Sequence, residues 1–467
     1  MADAVAPAVH RVGASYRVRG LKLTEHWFDV PLDHTGATPG GITVFAREVA
    51  GPSAAPDLPW LVYLQGGPGF ESPRVYETGG WIKTAAEKFR VLLLDQRGTG
   101  LSTPLSPPAL ASLQHAHAAQ LLTYFRADSI VADCEAIRKA LDVKTFSLLG
   151  QSFGGFCSCT YLSFHARALK EVLITGGLAP LPALRCPEAV DAVYAALYPR
   201  VATQTQKYYS RFPDDVAAVQ RIVLFLANSP GGGVDLPSGG RLTPRGLQLL
   251  GWGLGGSGGF EALHYLIERA WDTDLGMVVS GQFSAAVPAA KLSLAFLSGY
   301  EATLAFDTNP LYALIHEACY ANGGATRWAA QRALDNDPSL AAAFDPVAAA
   351  REGRPVPLTG EMVYPFMFDD IASLRPLKAV ANALAEHNWP ASLYDADALG
   401  RNTVPAAATA YFEDMYVDAN LALQTAAAIK GLRPWVTNTY MHSGVREDGQ
   451  RVFSTLLAMA RDEEPLR

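Results

Sequence analysis

Phe146-Ser-Leu-Leu149 running into Gly150-Gln-Ser152-Phe-Gly154-Gly155 is the stretch on which the fold turns. The first four residues read as a short buried strand, and the G-x-S-x-G that follows stands between that strand and a predicted helix. Such a tight strand-to-helix turn needs glycine on both sides of the serine, because a Cβ there would clash. It lifts Ser152 Oγ above the sheet, at a helix N-terminus that favours developing negative charge. Ser152 is therefore the candidate nucleophile.

Working outward, Trp60-Leu-Val-Tyr-Leu64 and Phe89-Arg-Val-Leu-Leu-Leu94 are almost continuously apolar and each ends in a glycine-rich turn, as expected of strands buried on both faces. Leu21 to Val49 alternates apolar and polar residues around a turn at Asp33 to Gly41, which predicts an antiparallel hairpin at a sheet edge. Ser129 to Leu141 has helical spacing, and Glu171-Val-Leu-Ile-Thr175 predicts one more strand. Helices alternating with buried strands predict a parallel α/β sheet. After Thr175 come some two hundred residues rich in Ala, Tyr and Gly with amphipathic stretches such as Ala313 to Tyr320 and Trp328 to Leu334. The strand signal resumes at Thr409-Ala-Tyr-Phe412 and Arg433-Pro-Trp-Val436, with helices predicted at Asn420 to Ile429 and Val452 to Ala460. The expected organisation is one core, residues 1–178 with 402–467, interrupted after its sixth strand by a mainly helical cap, residues 179–401.

The 467 residues are 49% hydrophobic and 18% charged, so the chain folds rather than staying disordered. A formal net charge of −7 argues against a nucleic-acid partner and against an anionic membrane surface. Five cysteines (Cys134, Cys157, Cys159, Cys186 and Cys319) are too few and too scattered for a disulfide scaffold, which suits a reducing, cytoplasmic compartment. Neither a signal-peptide core nor a transmembrane run is expected.

A serine hydroxyl needs a base, and a serine elbow of the α/β-hydrolase type is followed in the chain by an acid and then a histidine. Of ten histidines only His442, in Thr439-Tyr-Met-His442-Ser-Gly444, lies beyond the last predicted strand. The preceding strand ends at Glu413 and Asp414, whose side chains point opposite ways, so one of them faces His442. Asp414 is preferred and Glu413 is the alternative. Donors for an oxyanion are expected from the Phe153 amide and from Gln65-Gly66-Gly67-Pro68-Gly69, with Gly67 preferred over Gly66.

Three segments now carry a family resemblance: Gln65-Gly-Gly-Pro-Gly-Phe70 with Ser72-Pro-Arg74, Asp95-Gln-Arg-Gly-Thr-Gly-Leu-Ser102, and Gly150-Gln-Ser-Phe-Gly-Gly155. In order and spacing they resemble the prolyl aminopeptidases, or proline iminopeptidases, of the α/β-hydrolase superfamily. The likeness continues at Asp414-Met-Tyr-Val417 and from Trp435-Val-Thr-Asn438 to His442. Many members have histidine at the position of Gln65. The resemblance implies hydrolysis of an N-terminal proline from a peptide or proline amide with a free N-terminus, through an acyl-enzyme on Ser152, with no metal or cofactor.

Recognition of a protonated amine calls for carboxylates, and a proline ring calls for aromatic, apolar walls. Glu317 and Glu361 resemble the carboxylates of the family's cap, and Tyr320, Phe366, Phe153 and Trp328 are candidate lining residues. The alternative reading is an esterase or other amide hydrolase with the same triad and a different cap pocket; from another class, the fold can serve as a silent ligand receptor. Two motifs are discounted. His316-Glu317 begins an H-E-x-x-H, but Tyr320 occupies the second ligand position. Gly253-Leu-Gly-Gly-Ser-Gly258 formally matches G-x-G-x-x-G, but no buried strand leads into it.

Overall fold

The computed structural model describes residues 5–181, 189–272, 279, 291–304 and 306–463. Cys186 lies outside the described residues. Nine strands form one sheet: β1 (Val9–Val18), β2 (Leu21–Pro31), β3 (Gly41–Ala50), β4 (Trp60–Leu64), β5 (Arg90–Asp95), β6 (Phe146–Gln151), β7 (Leu169–Thr175), β8 (Ala406–Tyr411) and β9 (Leu432–Thr437). Their spatial order is β1-β2-β3-β5-β4-β6-β7-β8-β9. The first three run antiparallel, and β3 joins β5 antiparallel. From β5 to β9 every neighbouring pair is parallel.

Alternation along the central strands explains the two layers of helices. Val62, Leu64, Leu92, Leu94, Leu148 and Ile174 face one cluster, which includes Phe156 and Tyr161 of helix Phe153–His165 and Ile130 and Ile137 of helix Ala127–Ala140. Leu61, Tyr63, Leu93, Leu149 and Leu173 face the other way, onto Trp81 and Ile82 of helix Gly80–Lys88 and Phe453 and Leu456 of helix Gly449–Ala460. Burial on both faces is why these strands read as unbroken apolar runs.

Between β7 and β8 the chain is mainly helical, with Ala189–Arg211, Asp214–Asn228, Gly259–Glu268, Leu294–Ala302, Ala329–Asn336 and Lys378–Ala385 its longest described helices. Its apolar residues, Tyr194, Val201, Phe296 and Tyr364 among them, join the first of the two sheet clusters rather than forming a separate core.

Two expectations are corrected. The insertion follows the seventh strand, not the sixth, because β1 adds an edge strand; exposed along nearly its whole length, it shows no inward-facing apolar row. Ala313 to Tyr320 is not one helix. Helix Pro310–Leu314 stops where Ile315 leaves helical geometry (φ −119°, ψ 10°), and a single 3₁₀ turn follows at Glu317–Cys319.

Cys134, Cys157, Cys159 and Cys319 are buried and unpaired. Asp95 and Arg97 tie loops together: Asp95 accepts from the Ser72 and Leu101 amides and from Arg74, and Arg97 binds Asp133. Among the described residues, no helix is long and apolar enough to cross a membrane.

Candidate active site

Ser152 follows β6 with φ 54° and ψ −124°, a left-handed conformation that costs a non-glycine residue about 1–3 kcal/mol. Its surroundings enforce the turn. The Ser152 amide donates to the Thr175 carbonyl at 2.9 Å, and the Gly155 amide donates to the Ser152 carbonyl at 2.7 Å. A Cβ on Gly154 would overlap the Leu64 carbonyl oxygen of β4, so helix Phe153–His165 can approach the sheet only as glycine. Phe153 is the first residue of that helix, and its amide is one of the helix's unpaired N-terminal donors.

The Gly66–Gly67 turn leaves β4 directly beside the serine. A Cβ on Gly66 would stand 2.8 Å from Ser152 Cβ, and Gly67 has φ 123°, open only to glycine. The turn therefore runs against the nucleophile, with Gly66 the nearer of the two residues.

Asp414 and His442 come from the carboxyl ends of β8 and β9. Asp414 Oδ2 lies 2.7 Å from His442 Nδ1, while Oδ1 accepts from the amides of Tyr416 at 2.8 Å and Val417 at 3.0 Å. Glu413 turns away to Lys207, 2.6 Å from its Nζ. Both members of the pair are buried, at 1% and 8% exposure. Burial works against a charged imidazole, but Asp414 and then Glu361 outweigh it, and the His442 pKa is raised. Gly176 and Gly177, just after β7, separate this pair from the elbow: a Cβ on Gly176 would stand 3.2 Å from His442 Nδ1, and one on Gly177 would overlap the Ser152 carbonyl.

Two neighbours of the histidine escaped the sequence reading. The Tyr416 ring meets the imidazole edge-on at 4.8 Å, and its hydroxyl donates to the Trp252 carbonyl. The His442 amide donates to the Gly255 carbonyl at 3.2 Å, so the Gly253–Gly258 segment, in which the 3₁₀ helix Leu249–Gly255 ends, supports the histidine loop. The only available signal for Tyr416 was its place two residues after Asp414.

The two helical-segment carboxylates differ. Glu361 keeps some accessible surface, yet burial pushes its carboxyl up to about 7, against the pull of His442 and of Tyr312, whose hydroxyl donates to Glu361 Oε1. Glu317 is also pushed up to about 7 by burial, but both its oxygens are engaged: Oε2 accepts from the Ala329 amide and Oε1 from the Ala330 amide, each at 3.1 Å, at the start of helix Ala329–Asn336. Tyr320 packs against Phe156 at 5.6 Å, and Phe156 against Phe153 at 6.3 Å, which makes an aromatic wall behind the elbow. Phe366 has partners of its own. Its ring stacks on Tyr364 and lies under the Arg245 guanidinium, because Arg245, far upstream in sequence, packs onto this part of the segment. Trp328 packs on Phe368 and donates to Asn382, and it lines a small cavity together with Glu317.

A serine on a strand–helix elbow, a buried acid–histidine pair after later strands and a glycine turn beside the serine are the parts that acyl transfer by a serine requires. Sheet order and elbow together are those of an α/β-hydrolase, and a family model described as alpha/beta hydrolase fold matches residues 59–222. Over 450 residues the chain is 43% identical to a proline iminopeptidase of Aeromonas sobria, covering 96% of this chain and 98% of that protein. It is 36% identical to a proline iminopeptidase of Aspergillus aculeatus, over 98% of each. A solved proline iminopeptidase of Mycobacterium smegmatis is 14% identical, with a TM-score of 0.41 over 93% of this chain and 99% of the other. The chain belongs to the proline iminopeptidase family.

Proposed function

We propose that this protein is a serine exopeptidase that hydrolyses the N-terminal proline from peptides and proline amides through an acyl-enzyme on Ser152. The observation that carries the reading is the Asp414–His442 pair, buried and hydrogen-bonded, set against a strained serine elbow. Asp414 holds the Nδ1 proton, which leaves Nε2 as the base. His442 takes the Ser152 proton as Oγ attacks the prolyl carbonyl. Amides of Phe153 and Gly67, with Gly66 as the alternative, bind the oxyanion. His442 then returns the proton to the leaving amine, and water, activated by the same imidazole, releases proline from the ester.

Residues 179–401 act as the cap that selects the substrate, over a core of residues 1–178 and 402–467. Negative charge at Glu361 and Glu317 attracts the N-terminal ammonium, and Phe153 and Tyr320 supply the apolar wall for the proline ring. Unpaired buried thiols suit a cytoplasmic location. The deciding experiment is a panel of aminoacyl arylamides run beside short acyl esters. Proline arylamide should lead by orders of magnitude in kcat/KM; a preference for the esters would replace the reading with an esterase.

A further inference from the structure

A cavity of about 300 Å³ stands beside the site and takes no part in the steps above. Leu250, Leu263 and Leu266 are its buried lining, and Phe70, Trp252 and Tyr312 its aromatic one. Tyr312 meets the other two rings edge-on, Phe70 at 4.8 Å and Trp252 at 5.2 Å. The exposed Ala262 and Thr303 lie at its rim. Among the described residues no charged side chain lines it. Its size is at the low end of the range for ligand pockets, with room for one large side chain, and its lining suits an apolar, uncharged one.

Each aromatic residue ties the cavity to a different part of the site. Phe70 packs against the Gly66–Gly67 turn, where a Cβ on Gly67 would stand 2.7 Å from Phe70 Cδ2. Tyr312 holds Glu361 through its hydroxyl. The Trp252 carbonyl receives the hydroxyl of Tyr416, whose ring rests on His442, and the nearby Gly255 carbonyl receives the His442 amide. The cavity is therefore bounded by the turn, by the partner of the carboxylate and by the support of the histidine. Phe153 and Tyr320, the wall for the proline ring, are not among its lining residues. His442 must protonate the leaving nitrogen, so the chain beyond the scissile bond lies on the histidine's side. We propose that this cavity is the subsite for the residue that follows the N-terminal proline, and that it selects a large apolar side chain such as leucine or phenylalanine. The inference rests on the exopeptidase reading and deepens it by naming the peptides that are cleaved fastest.

The test compares kcat/KM of the full chain for prolinamide, Pro-Gly amide, Pro-Phe amide and Pro-Asp amide. Wild type should favour Pro-Phe amide over Pro-Gly amide about 10- to 100-fold, as burial of one aromatic side chain provides, with Pro-Asp amide no better than Pro-Gly amide. Ala262→Trp sets an indole at the cavity's exposed rim and should cut the Pro-Phe to Pro-Gly ratio about tenfold, by loss on Pro-Phe amide. Thr303→Trp repeats the test from another element, the end of helix Leu294–Ala302. The proposal is overturned if wild type cleaves Pro-Phe and Pro-Gly amides within about twofold of each other, if Pro-Asp amide matches Pro-Phe amide, or if both variants leave the ratio unchanged or lose equally on both amides. A wild-type chain that cleaves none of these amides, nor proline arylamide, refutes the exopeptidase reading and the subsite with it. One that cleaves prolinamide and proline arylamide without regard to the next residue refutes the subsite alone.

Discussion

Asp414 reaches His442 with one carboxylate oxygen, at 2.7 Å, while two backbone amides fix the other, so the imidazole is held by an acid that cannot swing away. Adjacent Glu413 is turned outward to Lys207. Asp414→Asn, which presents an amide N–H to Nδ1 and favours the wrong tautomer, should lower kcat about 10⁴-fold without unfolding the chain. Glu413→Gln should leave kcat within about twofold, because it removes only a surface ion pair. Steady-state kinetics on proline arylamide separate the two; comparable losses would mean that the acid is misassigned.

Glu361 links substrate binding to pH and to stability. Its charge helps raise the His442 pKa, so the acid limb of kcat/KM should move to lower pH in Glu361→Gln. KM for proline arylamide should rise about 10- to 100-fold in that variant, and far less for N-blocked substrates. The stability effect has the opposite sign. Burial keeps the folded carboxyl protonated to about 7, whereas an ordinary value is 4.5, so between those pH values the folded chain holds the extra proton and loses stability as pH rises. Glu361→Gln should therefore be more stable than wild type at pH 8, by on the order of 1 kcal/mol, and show little difference at pH 4. Denaturant midpoints at the two pH values check this.

Gly154 touches the Leu64 carbonyl so closely that no side chain fits. Gly154→Ala pushes the nucleophile helix off the sheet and should cost roughly 3 kcal/mol or more, read as a lower denaturant midpoint. A stable, active variant would mean that the elbow is looser than described.

What could be read from the sequence follows from how each residue is held. Strands such as Trp60–Leu64 are buried on both faces and announce themselves as apolar runs. Strand Val9–Val18 is paired on one edge and exposed on both faces, so no pattern marks it. Asp414 and His442 could be proposed from chain order, since later strands must end beside the elbow. The surroundings of Glu361 could not: Tyr312 lies 49 residues away, and nothing local predicts that contact. The Arg245 contact of Phe366 was hidden for the same reason, the two being distant in sequence. His316 looked like half of a failed metal motif until its ring was seen between Tyr312 and Tyr320.

The central claim is that Ser152 is the nucleophile for proline release. Its most direct test is the rate at which Ser152→Ala frees arylamine from proline arylamide, with its unfolding midpoint measured on the same preparation. The account predicts a loss of at least about 10⁴-fold with the fold intact. Turnover within about tenfold of wild type would contradict it.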